Sequence, residues 1–485
     1  MMRRLTIERT GIIVLFLLLF GVALRIPTDT DAWWHLRVGE TILRDGFVNA
    51  DTLSHTMAGQ PWLNHSWGAQ LVMTVFWQAG YAGLAIYTAL LATGGMLFVF
   101  LSSHGNTYLR AFTLILGAAT ASVFWSSRPQ MFSFFFSAVT VWLLLGEVRQ
   151  SGKRIWIFPI LMIAWANLHA GFTIGFILLG LVIAGEALGN LSARGPREGL
   201  PWRKVGRLVL IGLISGGAIL INPRGADLLA VPFQTLSIGA LQNYILEWAS
   251  PDFHVRQTWP FLALLFATLG AVGASTLRIT WTEFLLVAGT GTMALNSARN
   301  IAVFAVATTP VLSTHLDSLL AVRGWLPRPL TTVTPRMAAA NAALIGFVAV
   351  GVALYAAGLF IDDDKVQEVL ALALPVKAVE ALNESTAEGS LFNSYNWGGY
   401  LSLFAPDHPV FVDGRTDLYG DDFLTNAYLN TALAAPGWRD TLARYGVRLV
   451  LVEPTSGLAN ALREESEWRI AYEDDMAVLF EADKD

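Results

Sequence analysis

Five short polar clusters carry most of the reactive side chains of this chain, and each follows an apolar run. They are Asp29-Thr30-Asp31 with His35, Arg128-Pro129-Gln130, Asn167-Leu168-His169, Asn222-Pro223-Arg224, and Asn296-Ser297-Ala298-Arg299-Asn300. Two carboxylates two residues apart can hold a divalent cation, or one can act as a base beside a neighbour that tunes it. Arg128, Arg224 and Arg299 suit a phosphate or pyrophosphate, because a planar guanidinium binds it bidentately. Two further acids, Glu247 and Asp252, lie in a later loop beside Trp248 and His254. The chain has no cysteine, which excludes a thiolate zinc site, a cysteine nucleophile and a disulfide. No Walker loop, G-x-G-x-x-G or G-x-S-x-G signature is found.

These groups need elements to position them, and composition says in which solvent. Of 485 residues 54% are hydrophobic and only 14% charged, with a mean hydropathy of +0.51. A soluble chain carries about 25% charged residues. The 28 Phe, 17 Trp and 11 Tyr exclude a disordered or fibrous chain. Apolar runs at about 11–26, 82–101, 111–126, 130–147, 155–168, 170–188, 207–222, 259–275, 281–296, 301–313 and 337–360 predict an α-helical polytopic membrane protein of about eleven spans. The formal charge of −5 hides a split. From Asp362 onward 9 basic and 23 acidic residues give −14, whereas the first 361 residues carry 23 basic and 14 acidic. A membrane body over 1–361 and an acidic water-soluble domain over 362–485 are implied, and the acidity argues against nucleic acid as a partner.

Charge also sets the threading. With the basic N-terminal flank in the cytoplasm, Arg110, Arg149, Lys153, Arg154, Arg194, Arg197, Arg203, Lys204, Arg207, Arg278, Arg323, Arg328 and Arg336 fall in inner loops. The C-terminal domain is then extracytoplasmic, in a multi-pass protein of the cytoplasmic (inner or plasma) membrane. All five polar clusters come to the outward ends of helices. Charges near a bilayer tend to face a protein interior or watery cavity, so a polar outer vestibule is expected. Snorkelling of each arginine to the headgroups is the alternative.

The first outer loop, 27–66, holds Trp33 and Trp34, expected in an interfacial aromatic belt, and His55 and His65, expected as surface polar residues. Trp67–Tyr81 is expected as an interfacial helix. The second outer loop, 224–258, is a lid or an amphipathic helix on the membrane. In the C-terminal domain a short strand is expected at 391–394, apolar β-branched segments 409–412 and 448–453 predict buried parallel strands, helices are expected at 366–383, 421–433, 436–445 and 457–466, and further strands at 470–473 and 477–481. Tyr395-Asn396-Trp397-Gly398-Gly399 and Asp413-Gly414-Arg415 follow strands, where α/β sheets commonly bind ligands.

This order of parts resembles the GT-C superfamily of membrane glycosyltransferases, with the closest flavour that of oligosaccharyltransferase catalytic subunits and the 39-type and Rgt-like transferases. Asp29 to Gly46 looks like the first-loop region of that superfamily. Ser394–Tyr400, with Val410–Asp417 and Val447–Glu453, looks like a divergent version of its WWDYG region. The resemblance implies transfer of a sugar from a polyprenyl-(pyro)phosphate-linked donor to a glycan, lipid or protein acceptor outside the cytoplasmic membrane. Asp31 or Asp29 would match the first-loop acid that engages the acceptor or a metal. The pattern departs at the second outer acid pair, which reads Ser127-Arg128-Pro129-Gln130, and at the WWD triplet, which reads Tyr395-Asn396-Trp397.

The catalytic candidates are therefore Asp31, Asp29, Glu247 and Asp252. The substrate-binding candidates are His35, Arg128, His169, Arg224, Arg299, Asn300, Tyr395, Asn396, Trp397, Asp413 and Arg415. No cofactor is expected, and a magnesium or manganese ion on Asp29 and Asp31 is left open. Two other classes compete: a transporter or flippase of a lipid-linked glycan, and a non-catalytic assembly protein whose external domain binds a partner. The first predicts ionisable residues at mid-membrane and paired broken helices, and neither is seen.

Overall fold

The computed structural model describes residues 5–150, 153–192, 199–233, 239, 247–326 and 333–483. Arg194, Arg197 and Arg328 of the expected inner loops, and part of the second outer loop, lie outside them. Up to Phe360 the helices are α1 Ile7–Ala23, α2 Ala32–Asp45, α3 Trp67–Trp77, α4 Gly80–Ser102, α5 Thr107–Ala121, α6 Gln130–Gln150, α7 Phe158–Leu168, α8 Thr173–Ser192, α9 Trp202–Ala218, α10 Trp259–Ala274, α11 Trp281–Asn296, α12 Ile301–Val322 and α13 Pro335–Phe360. Each expected apolar span falls on one of them. Seven helical segments among the described residues are long and apolar enough to cross a membrane. They are Gly80–Ser102, Thr107–Phe124, Gln130–Arg149, Ala170–Ser192, Arg256–Ala274, Ala298–Val322 and Pro335–Phe360. The other four expected spans fall on shorter helices: α1 and α9 have 17 residues, α11 has 16 and α7 only 11. At 1.5 Å per residue, α7 covers roughly half of a 30 Å hydrocarbon layer.

Contacts divide the chain into two compact units. The first comprises Met1–Arg25, Ile86–Ala226 and Ile245–Gly358, and the second Ile26–Ala85, Asp227–Tyr244 and Leu359–Asp485. In the first, α12 is the core. It is buried continuously from Ile301 to Ser313 and packs against α5, α10, α11 and α6. At the other extreme, α13 is apolar along its length and none of its central window is buried. Such a helix needs hydrocarbon around it. The protein is a multi-pass membrane protein.

The second unit joins the first outer loop to the acidic C-terminal segment. That loop is mostly helix. On α2, Trp34 and Val38 join Val48, Leu53 and Trp62 in one buried cluster, completed by Ile42 and Leu418. The apolar stripe Trp34-Val38-Ile42 repeats every four residues, which is why this polar-looking stretch is helical. Trp33 and Trp34 are therefore not an interfacial belt. Trp33 is fully buried, edge-on to Trp77, Tyr81, Tyr400 and Phe404. The segment expected as an interfacial helix forms α3 and packs on α2 through Ala69, Gln70, Met73 and Thr74. His55 is no surface residue either: its Nε2 donates to the Leu391 carbonyl at 2.9 Å.

The sheet has order β1-β2-β4-β3, with β1 Ser390–Asn393, β2 Val447–Val452, β3 Trp468–Glu473 and β4 Val478–Ala482. Only β1 and β2 are parallel; β4 runs antiparallel to β2 and to β3. The short turn between β3 and β4 dictates this, since parallel neighbours need a long crossover. Asp474 fixes the turn by accepting from the backbones of Met476 and Ala477. The expected strand 409–412 is not in the sheet. Val410 makes one parallel bridge with Ser54 of the first outer loop, donating to the Leu53 carbonyl at 3.1 Å and accepting from the His55 backbone at 3.0 Å. The Asn393 side chain stands in for a ladder, bonding the Val412 carbonyl and the Phe411 N–H. The expected helix 366–383 is two, Asp363–Leu370 and Val376–Glu384, parted at Pro375, whose missing N–H cannot continue the first.

Candidate functional site

In the first unit the polar helix ends are stitched to one another. Arg128 sits in the turn before α6, where its carbonyl accepts from the Tyr87 hydroxyl at 3.0 Å and Thr88 bonds Ser127 at 3.0 Å. Residues 247–249 are laced to the turn after α11. The Glu247 carbonyl accepts from the Arg299 N–H at 3.1 Å and the Ser297 hydroxyl at 3.1 Å, and the Ala249 carbonyl accepts from the Ala298 N–H at 2.9 Å. This lacing places Trp248 under Arg299, whose guanidinium carbon lies 4.1 Å from the indole centroid. Across the same spot, Arg128 Nη2 pairs with the Glu247 carboxylate. The Glu247 carboxylate is also within electrostatic reach of the Arg299 guanidinium, as is Arg128. Among the described residues the cluster thus brings together two cations and one anion. Its Arg128 side chain is 15% exposed and its Glu247 side chain 42%.

The neighbouring helix ends are wired in the same way. The Trp165 indole donates to Ser133 Oγ at 2.7 Å, and Ser133 Oγ lies 2.7 Å from His169 Nδ1. The Gly171 N–H also donates to that nitrogen at 3.0 Å. Nδ1 is therefore the acceptor, and in the neutral ring Nε2 carries the hydrogen. Asn167 Nδ2 donates to the Ile221 carbonyl at 2.8 Å, tying the end of α7 to the turn after α9. In that turn Asn222 Oδ1 accepts from the Arg224 N–H at 2.7 Å. Arg224 Nε is buried and has no hydrogen-bond partner among the described residues. Asn300 is spent on structure, its amide donating to the Met293 carbonyl at 3.2 Å. Asp252 is exposed and makes a local turn by accepting from the His254 N–H at 2.8 Å.

In the second unit Asp31 precedes the first turn of α2. Asp29 Oδ1 accepts from the Asp31 N–H at 3.0 Å, and Asp31 Oδ1 accepts from the Trp34 indole at 3.1 Å. The Trp34 ring lies 3.5 Å from that of His35, and His35 Nδ1 is 3.2 Å from Gln70 Nε2. Gln70 Oε1 in turn accepts from Asn64 Nδ2 at 2.8 Å. His35, expected to meet substrate, is buried in this chain of amides.

Asp413 and Arg415, also expected to bind substrate, are sunk in the interior. Arg415 Nη1 reaches Asp51 Oδ1 at 2.7 Å, and its Nη2 reaches Asp413 Oδ2 at 2.6 Å. The Asp51, Asp413 and Arg415 side chains are at most 1% exposed. Burial alone pushes the Arg415 guanidinium down; the pull of Asp413, then Tyr419 and Asp51, carries it well above the usual arginine range, so it stays charged. Asp51 is satisfied on its own side by the Leu53 and Ser54 N–H groups and the Ser54 hydroxyl. A strand end was the wrong place to look for a ligand here, because the strand is absent and the groups are consumed by one another.

The Tyr395 turn divides. The Tyr395 N–H donates to the buried Tyr428 hydroxyl at 2.7 Å, Trp397 is buried, and Asn396 alone is exposed. Gly398 has φ −57°, so it is helical and not the special turn that two glycines suggest. Gly399 is required by close approach: a Cβ there would strike the Thr30 carbonyl.

The Asp29–Asp31 pair is a poor metal fit. Oδ1 of each is already met by an N–H donor, and among the described residues no three His, Asp or Glu side chains gather as ligands would.

No protein-family model matches the chain, and no curated protein sequence matches it. Solved structures do. The chain is similar to ArnT from Cupriavidus metallidurans bound to undecaprenyl phosphate, with a TM-score of 0.56 and 14% identity over 97% of this chain and 98% of that one. It is similar to the Archaeoglobus fulgidus oligosaccharyltransferase tethered to an acceptor peptide, with a TM-score of 0.54 and 14% identity over 91% of this chain and 68% of that one. It also resembles the mycobacterial arabinofuranosyltransferase AftD, with a TM-score of 0.51 and 12% identity; it spans 97% of its own length but 41% of that protein's. The fold expected from the sequence is the fold that the chain shares with these solved structures.

Proposed function

We propose that this chain is a glycosyltransferase that takes a sugar from a polyprenyl-phosphate carrier and passes it to a glycan, lipid or protein acceptor. The observation that carries the reading is the cluster of Arg128 and Arg299 around one carboxylate, Glu247, at the ends of membrane helices. Among the described residues, two guanidinium groups meet one acid at these helix ends, a donor set that suits a lipid-borne phosphate. The fold neighbour crystallised with undecaprenyl phosphate supports that choice of anion.

In the reaction, the bond between the sugar's anomeric carbon and the phosphate oxygen breaks as a bond to the acceptor nucleophile forms. The proton of the acceptor passes to the Asp31 carboxylate, and polyprenyl phosphate leaves with the bonding pair. Arg128 and Arg299 meet the charge that develops on the leaving oxygen, which is where fixed donors accelerate a reaction most. Arg224, whose buried Nε has no hydrogen-bond partner among the described residues, is a further candidate phosphate donor. Glu247 serves as counter-ion to the arginines and not as the base. Transfer needs no divalent cation in this reading, because arginines do the work of neutralisation.

The test is incubation of purified protein with a panel of polyprenyl-phosphate sugars in chelator, following release of free polyprenyl phosphate. Asp31→Asn should lower transfer by ~10²–10⁴-fold, the usual loss for a general base. Asp45→Asn, which removes only an exposed pairing with Arg44, should leave it intact. Wild-type rates in Asp31→Asn, or activity that returns only with magnesium or manganese, would sink this mechanism. In this reading the C-terminal unit lies outside the cytoplasm, which the basic residues of the expected inner loops support. A reporter fused after Asp485 should be active only there.

A further inference from the structure

We infer that the buried trio Asp51, Asp413 and Arg415 positions the Asp31 carboxylate, acting through the backbone of Gly414; this rests on the reading of Asp31 as the base. Three charged side chains withdrawn from water are an expensive way to fill a core. Well-packed apolar groups of similar volume would often be neutral or better for stability. The trio's geometry shows what the charges add, which is placement of one short stretch of backbone.

Gly414 is the residue between two of the three. Asp413 Oδ1 accepts from the Arg415 N–H at 3.0 Å and from Arg415 Nε at 2.9 Å, so the side chain of one neighbour clamps main chain and side chain of the other. The Gly414 carbonyl accepts from the Thr416 N–H at 3.0 Å, which closes the turn. Asp51, on the first outer loop, holds Arg415 from the far side and so registers this turn against α2. Gly414 then lies directly against Asp31: a Cβ built on it would overlap Oδ1, the oxygen that the Trp34 indole holds, and would come 3.2 Å from Trp34 Nε1. Trp62 ties the same parts together. Its ring sits 4.9 Å from the Arg415 guanidinium, its Nε1 donates to Asp417 Oδ2 at 3.2 Å, and its ring meets that of Trp34 edge-on. Asp31 is therefore wedged between an indole that fixes one oxygen and a bare backbone that forbids that oxygen to swing.

The experiment is a double-mutant cycle between Gly414→Ala and Asp31→Asn in the full-length protein, read by transfer from a polyprenyl-phosphate sugar and by melting temperature. One added methyl pushes the carboxylate off its position, and a misplacement of about 1 Å can lower a rate ~10²-fold. Gly414→Ala should lower kcat by that factor, leave the acceptor KM and the melting temperature close to wild type, and cause no further loss in the Asp31→Asn background. Arg415→Lys, which keeps a buried cation but loses the fork, should lower kcat less than Arg415→Ala and again only when Asp31 is present. It replaces Gly414→Ala in the cycle if that variant fails to insert. Equal losses with and without Asp31, or full activity in Gly414→Ala beside an inactive Asp31→Asn, would overturn the positioning role while leaving Asp31 as base. Full activity in Asp31→Asn removes the base itself, and the positioning role falls with it.

Discussion

Two clusters of charge, one in each unit, look alike in sequence and differ in how they are satisfied. Around Arg128, Glu247 and Arg299 the charges are half-open, two cations share one acid, and an indole supports the second cation from below. Around Arg415 the arithmetic is reversed. Two acids share one cation, all three side chains are at most 1% exposed, and backbone N–H groups and a hydroxyl take up the remaining carboxylate oxygens. The first arrangement, among the described residues, sets more cations than acids, which on the proposed reading suits an incoming anion. The second has no charge to offer and can act only on its neighbours. An arginine is thus informative about ligands only once its counter-charges have been counted.

The largest expected effect lies in the closed cluster. Arg415→Leu leaves two buried carboxylates facing one another without a cation, and loss of one partner from a buried ion pair costs about 3–5 kcal/mol. Denaturant melts in detergent should show the second unit destabilised by that amount. A shift of under about 1 kcal/mol would mean that water reaches the trio and that the comparison is misdrawn.

The open cluster should respond in function and not in stability. Removing one preorganised donor to a developing oxyanion commonly lowers kcat by ~10²–10³-fold. Arg299→Ala should do so with little change in melting temperature. Glu247→Gln separates the two readings of that acid. As a counter-ion it competes with the phosphate for Arg128, so its removal should lower the donor KM several-fold and leave kcat near wild type. A large fall in kcat would instead return Glu247 to the catalytic list.

How much of this was legible beforehand follows from distance along the chain. The apolar runs announced the membrane helices because a span is a local property. α2 was missed because its stripe of Trp34, Val38 and Ile42 is only three residues wide and is surrounded by Arg37, Glu40, Arg44 and Asp45. Residues 409–412 look like a strand because they are buried, and burial alone does not make a ladder. Glu247 and Arg128 were each legible as reactive groups, but not as partners. The Asp51–Arg415 pair was out of reach altogether, since neither a turn nor a helical spacing connects positions so far apart. Asp31, by contrast, stands out in the sequence by its spacing to Asp29 and its place just beyond the first apolar run.

The smallest effect concerns pH and refines the closed side of the comparison. Burial pushes the His55 imidazole below its usual 6.5, although the Leu391 carbonyl that accepts from its Nε2 pulls it back up. A histidine whose folded value is depressed contributes stability that is complete above the unfolded value and is lost as pH falls through it toward the folded one. His408 is depressed for the same first reason and adds a slope of the same sign. The second unit should therefore weaken between about pH 7 and 5, and His55→Gln should flatten part of that slope in pH-dependent melts. An unchanged slope would show that the ring is hydrated in solution.

The joining of the first outer loop to the far end of the chain sets an order of events during synthesis. Trp62 and Asp417 are 355 positions apart. At 5–20 residues per second the ribosome needs roughly 20 to 70 s to pass from one to the other. For that interval Asp51 has no cation, α2 has no Leu418 to cover its apolar stripe, and Asp31 has no Gly414 beside it. A nascent chain thus lacks a complete second unit until its last quarter has been made. On the proposed reading, nonsense or frameshift products that stop short of Arg415 would insert their membrane helices and yet leave Asp31 without Gly414 beside it, so a truncated copy would be inert in the membrane.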